Sequence, residues 1–550
     1  MFKSLWNRRS TSKRKKVIRF IGFSGSDGRP LLMVLALSIV FSCVSTRSTG
    51  DKAPERQKVS EEHAQMLAER TAAFGSAQDF EGSPYEEIGS RGLFNAHPAE
   101  SCRIAVLPNG DDSFAARIQT LRNADTSVRI QTLVFSGDES GLYITELLKE
   151  KKAQGLDVRV IVDAMSNPWP QTQWMYFDLK QHDIEVEGYE SFYLQWLNEM
   201  PVTIHEDADK TTNPNKRFHE KMWIVDGETD HGLAIIGGSN IANEYFRVNP
   251  QNPRHYWRDQ DVLVKGAVVK DMAASFDRNF QYFLKVKESR GIFNTNIYWE
   301  GTRRLLRSTG KVEMNHATDE QLSKSVREVA NKNLDLKFES AASRFFQNRP
   351  RFGETYIEQV YLKLIAEAKR EILVVNAYFI ASPAFIQAVK DAARRCVNVI
   401  ILTNSLQTND LPLLTIVGRS YYDDMLVVNS EPEVRSCERG GVKIWEWQGR
   451  RSSADEQTEG TMHAKYAVFD RRVSVVGSHN MDPRSRTLNS ESAIVYESED
   501  LSRQLAEIFY ENDLDFSRQI TMKEAQEFAD PKDAIYKLRK RFGKVFENLL

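Results

Sequence analysis

Cysteine, net charge and long apolar runs are all scarce in this 550-residue chain, and each scarcity removes a class of protein. The four cysteines, Cys43, Cys102, Cys396 and Cys437, are scattered without a CxxC pair, so their spacing predicts neither a disulfide scaffold nor a structural zinc site. A formal charge of −2 gives no general pull toward polyanions, which disfavours nucleic acid as a partner while leaving room for a local basic groove. The apolar run at 31–41 holds eleven residues, too few to span a bilayer although suited to the core of a secretory signal. What remains is globular in composition, 41% apolar and 27% charged. Length alone suggests about three or four compact units, a number that an internal repeat reduces to two large lobes.

Two stretches organise the rest: Phe218-His219-Glu220-Lys221-Met222-Trp223-Ile224-Val225-Asp226 and Met462-His463-Ala464-Lys465-Tyr466-Ala467-Val468-Phe469-Asp470, each reading His-x-Lys-x-x-x-x-Asp. A strand sends alternate side chains to opposite faces, so His219 with Lys221, and His463 with Lys465, are expected on one side about 7 Å apart. Asp226 and Asp470 have the opposite parity and are expected to brace the strand end. Each motif leads through a second strand to a tight turn ending in asparagine, Gly237-Gly238-Ser239-Asn240 and Gly477-Ser478-His479-Asn480. Ten residues, 227–236, separate Asp226 from Gly237, but six separate Asp470 from Gly477. A four-residue hairpin extension at 228–231 would absorb the difference and leave Asn240 in place.

The flanking elements repeat as well. Phe114, Ala115, Ile118 and Leu121 recur at helical spacing; a strand at 128–135, a helix at 141–154 stopped by Gly155 and a strand at 158–163 follow. The second half predicts a helix at 356–368, a strand at 372–379, a helix at 383–395 behind Ser382 as N-cap, and a strand at 399–402. Phe135 and Phe379, like His219 and His463, lie 244 residues apart. The expected fold class is therefore α/β: two similar lobes, each a mixed β-sheet flanked by helices, related by a pseudo-two-fold around one central cleft. The predicted divisions are a membrane segment at 1–43, a polar arm at 44–100 with a helix at 60–74, a first lobe at 101–287, a connector at 288–351 and a second lobe with a C-terminal helix at 352–550. Trp169, Trp174, Tyr176, Phe177, Tyr189, Phe192, Tyr193 and Trp196 form an aromatic cluster, read either as core packing or as an apolar wall for acyl chains. The basic run 537–544 reads as a solvated face.

The duplicated motif resembles the phospholipase D superfamily. The stretch from Met462-His463-Ala464-Lys465 through Gly477-Ser478-His479-Asn480-Met481-Asp482-Pro483-Arg484-Ser485 to Leu488-Asn489-Ser490-Glu491 is similar to bacterial cardiolipin synthases, in its second half most like the C-type. The likeness covers about 102–515. It implies a catalytic set of His219, Lys221, Asp226, His463, Lys465 and Asp470. His219 would be the nucleophile that forms a phosphohistidine and His463 the acid and base, with no metal and no other cofactor. A neutral imidazole suits attack on an anionic phosphodiester, and a second one can protonate the leaving oxygen. Lys221, Lys465, Asn240 and Asn480 would surround the phosphate. The family further implies an acidic partner for each histidine; Glu491 and Asp259 align best, with Asp261 as the substitute for Asp259.

The resemblance points to a membrane-associated phosphatidyl transferase acting on phospholipids such as phosphatidylglycerol or phosphatidylethanolamine. The alternatives are a phospholipase D that hydrolyses headgroups and, with less support, a metal-independent nuclease. At the N-terminus, Val40-Phe41-Ser42-Cys43 resembles a bacterial lipoprotein cleavage site apart from Phe41. Lipidation at Cys43, an uncleaved anchor and a basic arm on anionic headgroups all place the protein at a membrane surface of the bacterial cell envelope.

Overall fold

A computed structural model describes residues 95–163, 166–167, 169–189, 217–248, 256–290, 324–350, 354–451, 457–545 and 547. The apolar run at 31–41, Cys43, the helix expected at 60–74, and Phe192, Tyr193 and Trp196 lie outside them. Among the described residues no helix is long and apolar enough to cross a membrane.

The first half contributes strands β1 (Cys102–Leu107), β2 (Ser127–Thr132), β3 (Asp157–Asp163), β4 (Glu185–Tyr189), β5 (Met222–Val225), β6 (Leu233–Gly237) and β7 (Asp261–Gly266). The second contributes β8 (Ala342–Asn348), β9 (Glu371–Asn376), β10 (Asn398–Asn404), β11 (Gly441–Trp447), β12 (Lys465–Phe469), β13 (Val473–Gly477) and β14 (Glu491–Glu497). Their spatial orders, β1-β7-β6-β5-β2-β3-β4 and β8-β14-β13-β12-β9-β10-β11, are the same. In each, three strands run parallel at one side and the rest antiparallel, giving the mixed α/β lobes that the repeat predicts.

Local signals explain the helices. Asn109 caps Gly110–Arg122, Asp138 caps Glu139–Ala153, and Ser382 accepts from the Phe385 amide at 3.0 Å to start Pro383–Arg394. Gly155, at φ +95°, ends the second of these where a side chain would be strained. The two sheets pack through a central apolar core that draws Val262, Val264 and Phe276 from the first half and Leu373, Tyr466 and Ile494 from the second. Each outer sheet face is covered by its own helices.

The halves also exchange edges. Ala96–His97 precedes the first lobe yet pairs with β8 of the second, whereas Glu339–Ser340 precedes the second lobe yet pairs with β1 of the first. Strand β8 itself falls in the stretch expected to be connector; Ser343, Arg344, Gln347 and Asn348 disguise it, since a strand with buried polar side chains lacks the usual apolar pattern. The C-terminal helical region is two helices, Met522–Ala529 and Ala534–Val545, divided at Pro531. The aromatic cluster is partly core: Tyr176 is buried and its hydroxyl donates to the Phe135 carbonyl at 2.8 Å.

The cysteines also depart from expectation. Cys396 and Cys437, 41 residues apart, form a disulfide that ties the end of helix Pro383–Arg394 to the turn before β11. Nothing in the spacing betrays it, because connectivity between distant cysteines is set by the fold. Cys102 is free and buried. Closing a loop of this length stabilises by about 2–4 kcal/mol. Replacing both cysteines by serine is expected to lower the unfolding free energy by about that much. Dithiothreitol should lower the melting temperature of the wild type and leave the double variant unmoved, as read by differential scanning calorimetry.

Candidate active site

The two motifs stand at equivalent places. Lys465 opens β12, while His219 to Lys221 form the extended lead into β5. The pairings Met222↔Ile236 and Tyr466↔Val476 show one register in both hairpins, so the four extra residues of the first half sit in the turn and leave Asn240 where Asn480 stands in the second. Asp226 and Asp470 both adopt φ +52°, a left-handed conformation that aspartate tolerates. Asp226 accepts from the amides of Thr126 and Ser127 at 2.7 and 3.0 Å, and Asp470 from those of Lys369, Arg370 and Glu371 at 2.9, 2.8 and 2.9 Å. Each aspartate thus fastens the head of the neighbouring central strand.

The histidines are joined across the halves. His219 Nδ1 lies 2.9 Å from Glu491 of the second half, and His463 Nδ1 lies 2.6 Å from Asp259 of the first. Backbone bridges set up both pairs: the His219 amide donates to the Ser490 carbonyl at 2.9 Å and the His463 amide to the Arg258 carbonyl at 2.7 Å. Gly237 pairs with Asp261 and Gly477 with Ala493, so Asp259 is the structural counterpart of Glu491. Asp261 instead receives Ser113 Oγ at 2.5 Å and Arg117 at 3.0 Å. With Nδ1 occupied on each ring, Nε2 is the nitrogen left for chemistry.

Water is nearly excluded: His219 is 6% exposed, His463 3%, Lys221 2% and Lys465 0%. Burial lowers Lys221 to about 7 and Lys465 to about 8, against the opposing pull of Glu491 on both and of Asp259 on both. Because each lysine also responds to the other half's carboxylate, the four charged groups share one electrostatic site. Lys221 Nζ donates to the His219 carbonyl at 2.6 Å, and Lys465 makes the same bond to His463. Asn240 is engaged, donating to the Tyr245 hydroxyl at 2.7 Å; Asn480 Oδ1 is buried without a partner.

The carboxylates differ. Burial would raise Glu491, but His219, with His479 and Lys221, outweighs it and the group is held down to about 2; it also accepts from the Ser478 and Ser485 hydroxyls at 2.5 and 2.7 Å. Asp259 moves up through burial. His219 falls to about 4, lowered by burial and supported by Glu491; His463 is also lowered, by burial, Lys465 and Lys221.

Several residues here were not singled out from sequence. Tyr245, Trp257 and Tyr378 ring His463 at centroid distances of 5.2, 4.9 and 6.3 Å. Arg258, buried, pairs with Asp513 at 2.7 Å and bonds the Asp259 carbonyl. Glu220, between His219 and Lys221, is fully buried; it accepts from Gln131 of β2 at 2.8 Å and Gln347 of β8 at 3.0 Å, and burial raises it to about 8. Only the inversion of polarity, a carboxylate where the second motif has Ala464, could have drawn attention to it.

A family model described as cardiolipin synthase, PLD-like domain, matches residues 117–279 and 361–513, one stretch in each half and more than half of the chain. The chain belongs to this phospholipase D-like family. Among curated relatives it is 26% identical over 402 residues to a cardiolipin synthase of Geobacillus thermodenitrificans, covering 73% of this chain and 64% of that one. It is 25% identical over 447 residues to cardiolipin synthase C of Escherichia coli, covering 78% and 88%. The chain thus spans less than two thirds of the Geobacillus protein and most of the Escherichia one. The crystal structure of phosphatidylserine synthase from Haemophilus influenzae shares the fold, with a TM-score of 0.55 at 16% identity over 83% of this chain and 97% of that one. Family membership places the chain among enzymes of the phospholipase D type.

Two outcomes are expected. With His219 acting as a neutral nucleophile beside charged lysines, kcat/KM would rise as pH passes about 4 and fall as it passes about 7 to 8; a pH–rate profile checks both limbs. Glu220, raised from 4.5 to about 8 on folding, contributes stability that is complete below 4.5 and lost as pH rises through 8. Glu220→Gln should therefore gain on the wild type in melting temperature as pH increases across that window.

Proposed function

We propose that the chain moves a phosphatidyl group from one phospholipid to the headgroup alcohol of another, giving cardiolipin when the acceptor is phosphatidylglycerol. The observation that carries this reading is the pair of histidines, each held at Nδ1 by a carboxylate from the opposite half, in a site with two buried lysines. His219 Nε2 attacks phosphorus, the bond to the first alcohol breaks, and His463 gives that oxygen a proton. The acceptor hydroxyl then loses its proton to His463, attacks the phosphohistidine and frees His219. Lys221 and Lys465 offset the charge on the non-bridging oxygens, and Asn480 can turn its amide to them.

The assignment of roles rests on the two carboxylates. Glu491, held ionised, raises the basicity of His219 against its burial, which suits a nucleophile. At the other pair, Asp259 rises while His463 falls, which moves the shared proton toward the carboxylate and readies the pair to release a proton through Nε2. The burial of both rings limits access of bulk solvent, which supports transfer to a lipid alcohol over hydrolysis. Phospholipid hydrolysis by the same residues remains the second reading, because water needs no further group. Donor and acceptor lipids of the phosphatidylethanolamine and phosphatidylglycerol type are part of this proposal, and phospholipid substrates agree with relatives named cardiolipin synthase.

The protein would work at a membrane of the bacterial envelope, held by the segment at 1–43 or by a lipid on Cys43. The Cys396–Cys437 disulfide supports an oxidising compartment for the catalytic unit. Lipid mass spectrometry on a cardiolipin-deficient host should show new cardiolipin with the wild type and none with His219→Ala or His463→Ala, each reducing turnover by at least about 10³-fold. Phosphatidic acid in place of cardiolipin would favour hydrolysis, and neither product from a stable wild-type protein would overturn the proposal.

A further inference from the structure

The helix Ala534–Val545 carries Lys537, Arg539, Lys540, Arg541 and Lys544 and no acidic residue, in a chain whose formal charge is only −2. Its apolar side chains are displayed to solvent. Ile535, Leu538, Phe542 and Val545 are 57%, 48%, 50% and 76% exposed, four of the five exposed large apolar side chains among the described residues. Their spacing of three, four and three residues puts them on one stripe of the helix.

The opposite face is fixed to the protein. Gly543 is buried, and a Cβ there would stand 2.4 Å from Val417, so the helix backbone lies directly on helix Pro412–Gly418. Lys540 bonds the Ala529 carbonyl, and Lys544 lies 3.5 Å from the centre of the Tyr421 ring. The stripe therefore cannot turn inward without losing these contacts. Lys537 and Arg541 are exposed along its border.

We propose that this helix lies flat on a bilayer surface containing anionic lipid, with the apolar stripe among the acyl chains and the basic side chains at the phosphates. An apolar stripe edged by cations matches an anionic lipid interface. It does not match a second copy of itself, since packing stripe on stripe would bring the exposed Lys537 and Arg541 of each copy together. The seat also relates the helix to the catalytic site. Thr415 of helix Pro412–Gly418 bonds Asn409 at 2.8 Å, the adjacent Asp410 accepts from the Tyr378 hydroxyl at 2.8 Å, and Tyr378 stands beside His463. A docked helix would bring this side of the site to the lipid surface. The proposal does not depend on which phosphodiester is turned over.

The test is hydrogen–deuterium exchange of the full chain with vesicles of phosphatidylcholine alone or mixed with phosphatidylserine. Peptides covering 534–545 should gain protection with the anionic mixture and little with phosphatidylcholine. The double variant Ile535→Glu, Leu538→Glu should lose that protection and partition onto the mixed vesicles about tenfold less well. Because both side chains are exposed, its melting temperature should stay near that of the wild type. Reading exchange at the helix itself separates docking there from attachment elsewhere in the chain, and the measurement needs no turnover. Unchanged exchange with anionic vesicles would overturn the proposal. So would protection that appears without lipid and grows with protein concentration, which would make the stripe a contact between copies.

Discussion

Each histidine of the duplicated motif is oriented by a carboxylate that belongs to the other half of the chain, and the rest of the architecture serves that exchange. A histidine with both nitrogens free can present either tautomer, and its ring can rotate. Binding Nδ1 to Glu491 or Asp259 removes both freedoms at once. The cost is that two carboxylates must be held in a place with almost no water, where an unpaired charge is strongly disfavoured. The cost is met by pairing the carboxylates with cations from both halves and by short backbone bridges, His219 to Ser490 and His463 to Arg258, that fix each loop against its partner.

Such an exchange demands that the halves never drift apart, and three features supply that. The central core takes apolar side chains from both sheets, so separating the lobes would expose it to water. The outermost strands are traded, Ala96–His97 to the second sheet and Glu339–Ser340 to the first, so each sheet edge is completed by residues that lead into the other lobe. Glu220 adds a polar pin, since the two amides that satisfy it come from β2 and β8. The chain is duplicated in sequence but single in its packing.

The repeat and the two motifs were readable because each rests on short-range rules. Alternation in a strand, Asn, Asp or Ser before a helix and Gly155 after one all act over a few residues, and the observed elements agree within a few residues of their expected ends. The equal 244-residue separations reported a true duplication. What could not be read depends on approach in space. Strand β8 was hidden because Arg344 and Gln347 are buried polar residues whose environment only the assembled sheets provide. The disulfide joins cysteines 41 residues apart. The carboxylates could be aligned with the histidines by motif, but their crossing from one half to the other could not. The aromatic residues around His463 come from both halves, Tyr245 and Trp257 from one and Tyr378 from the other.

The two halves are alike in backbone and unlike in the atoms that decide acidity, and one position shows how. Where the second half has Ser478, whose hydroxyl donates to Glu491, the first has Gly238, where a Cβ would fall 2.1 Å from an oxygen of Asp259. The Asp259 carboxylate itself lies so close to the turn that a side chain at this position would collide with it, so no hydroxyl stands where Ser478 stands in the second half. Glu491 is held down by His219, His479 and Lys221 against its burial and takes hydroxyls from Ser478 and Ser485, while Asp259, bonded to His463 at 2.6 Å and the Gln260 amide at 2.8 Å, is raised by burial. One carboxylate therefore pulls its imidazole toward basicity, and the other competes with its imidazole for the proton. Two histidines placed by the same fold therefore meet unlike carboxylates, Glu491 among hydroxyl donors and Asp259 against a glycine turn.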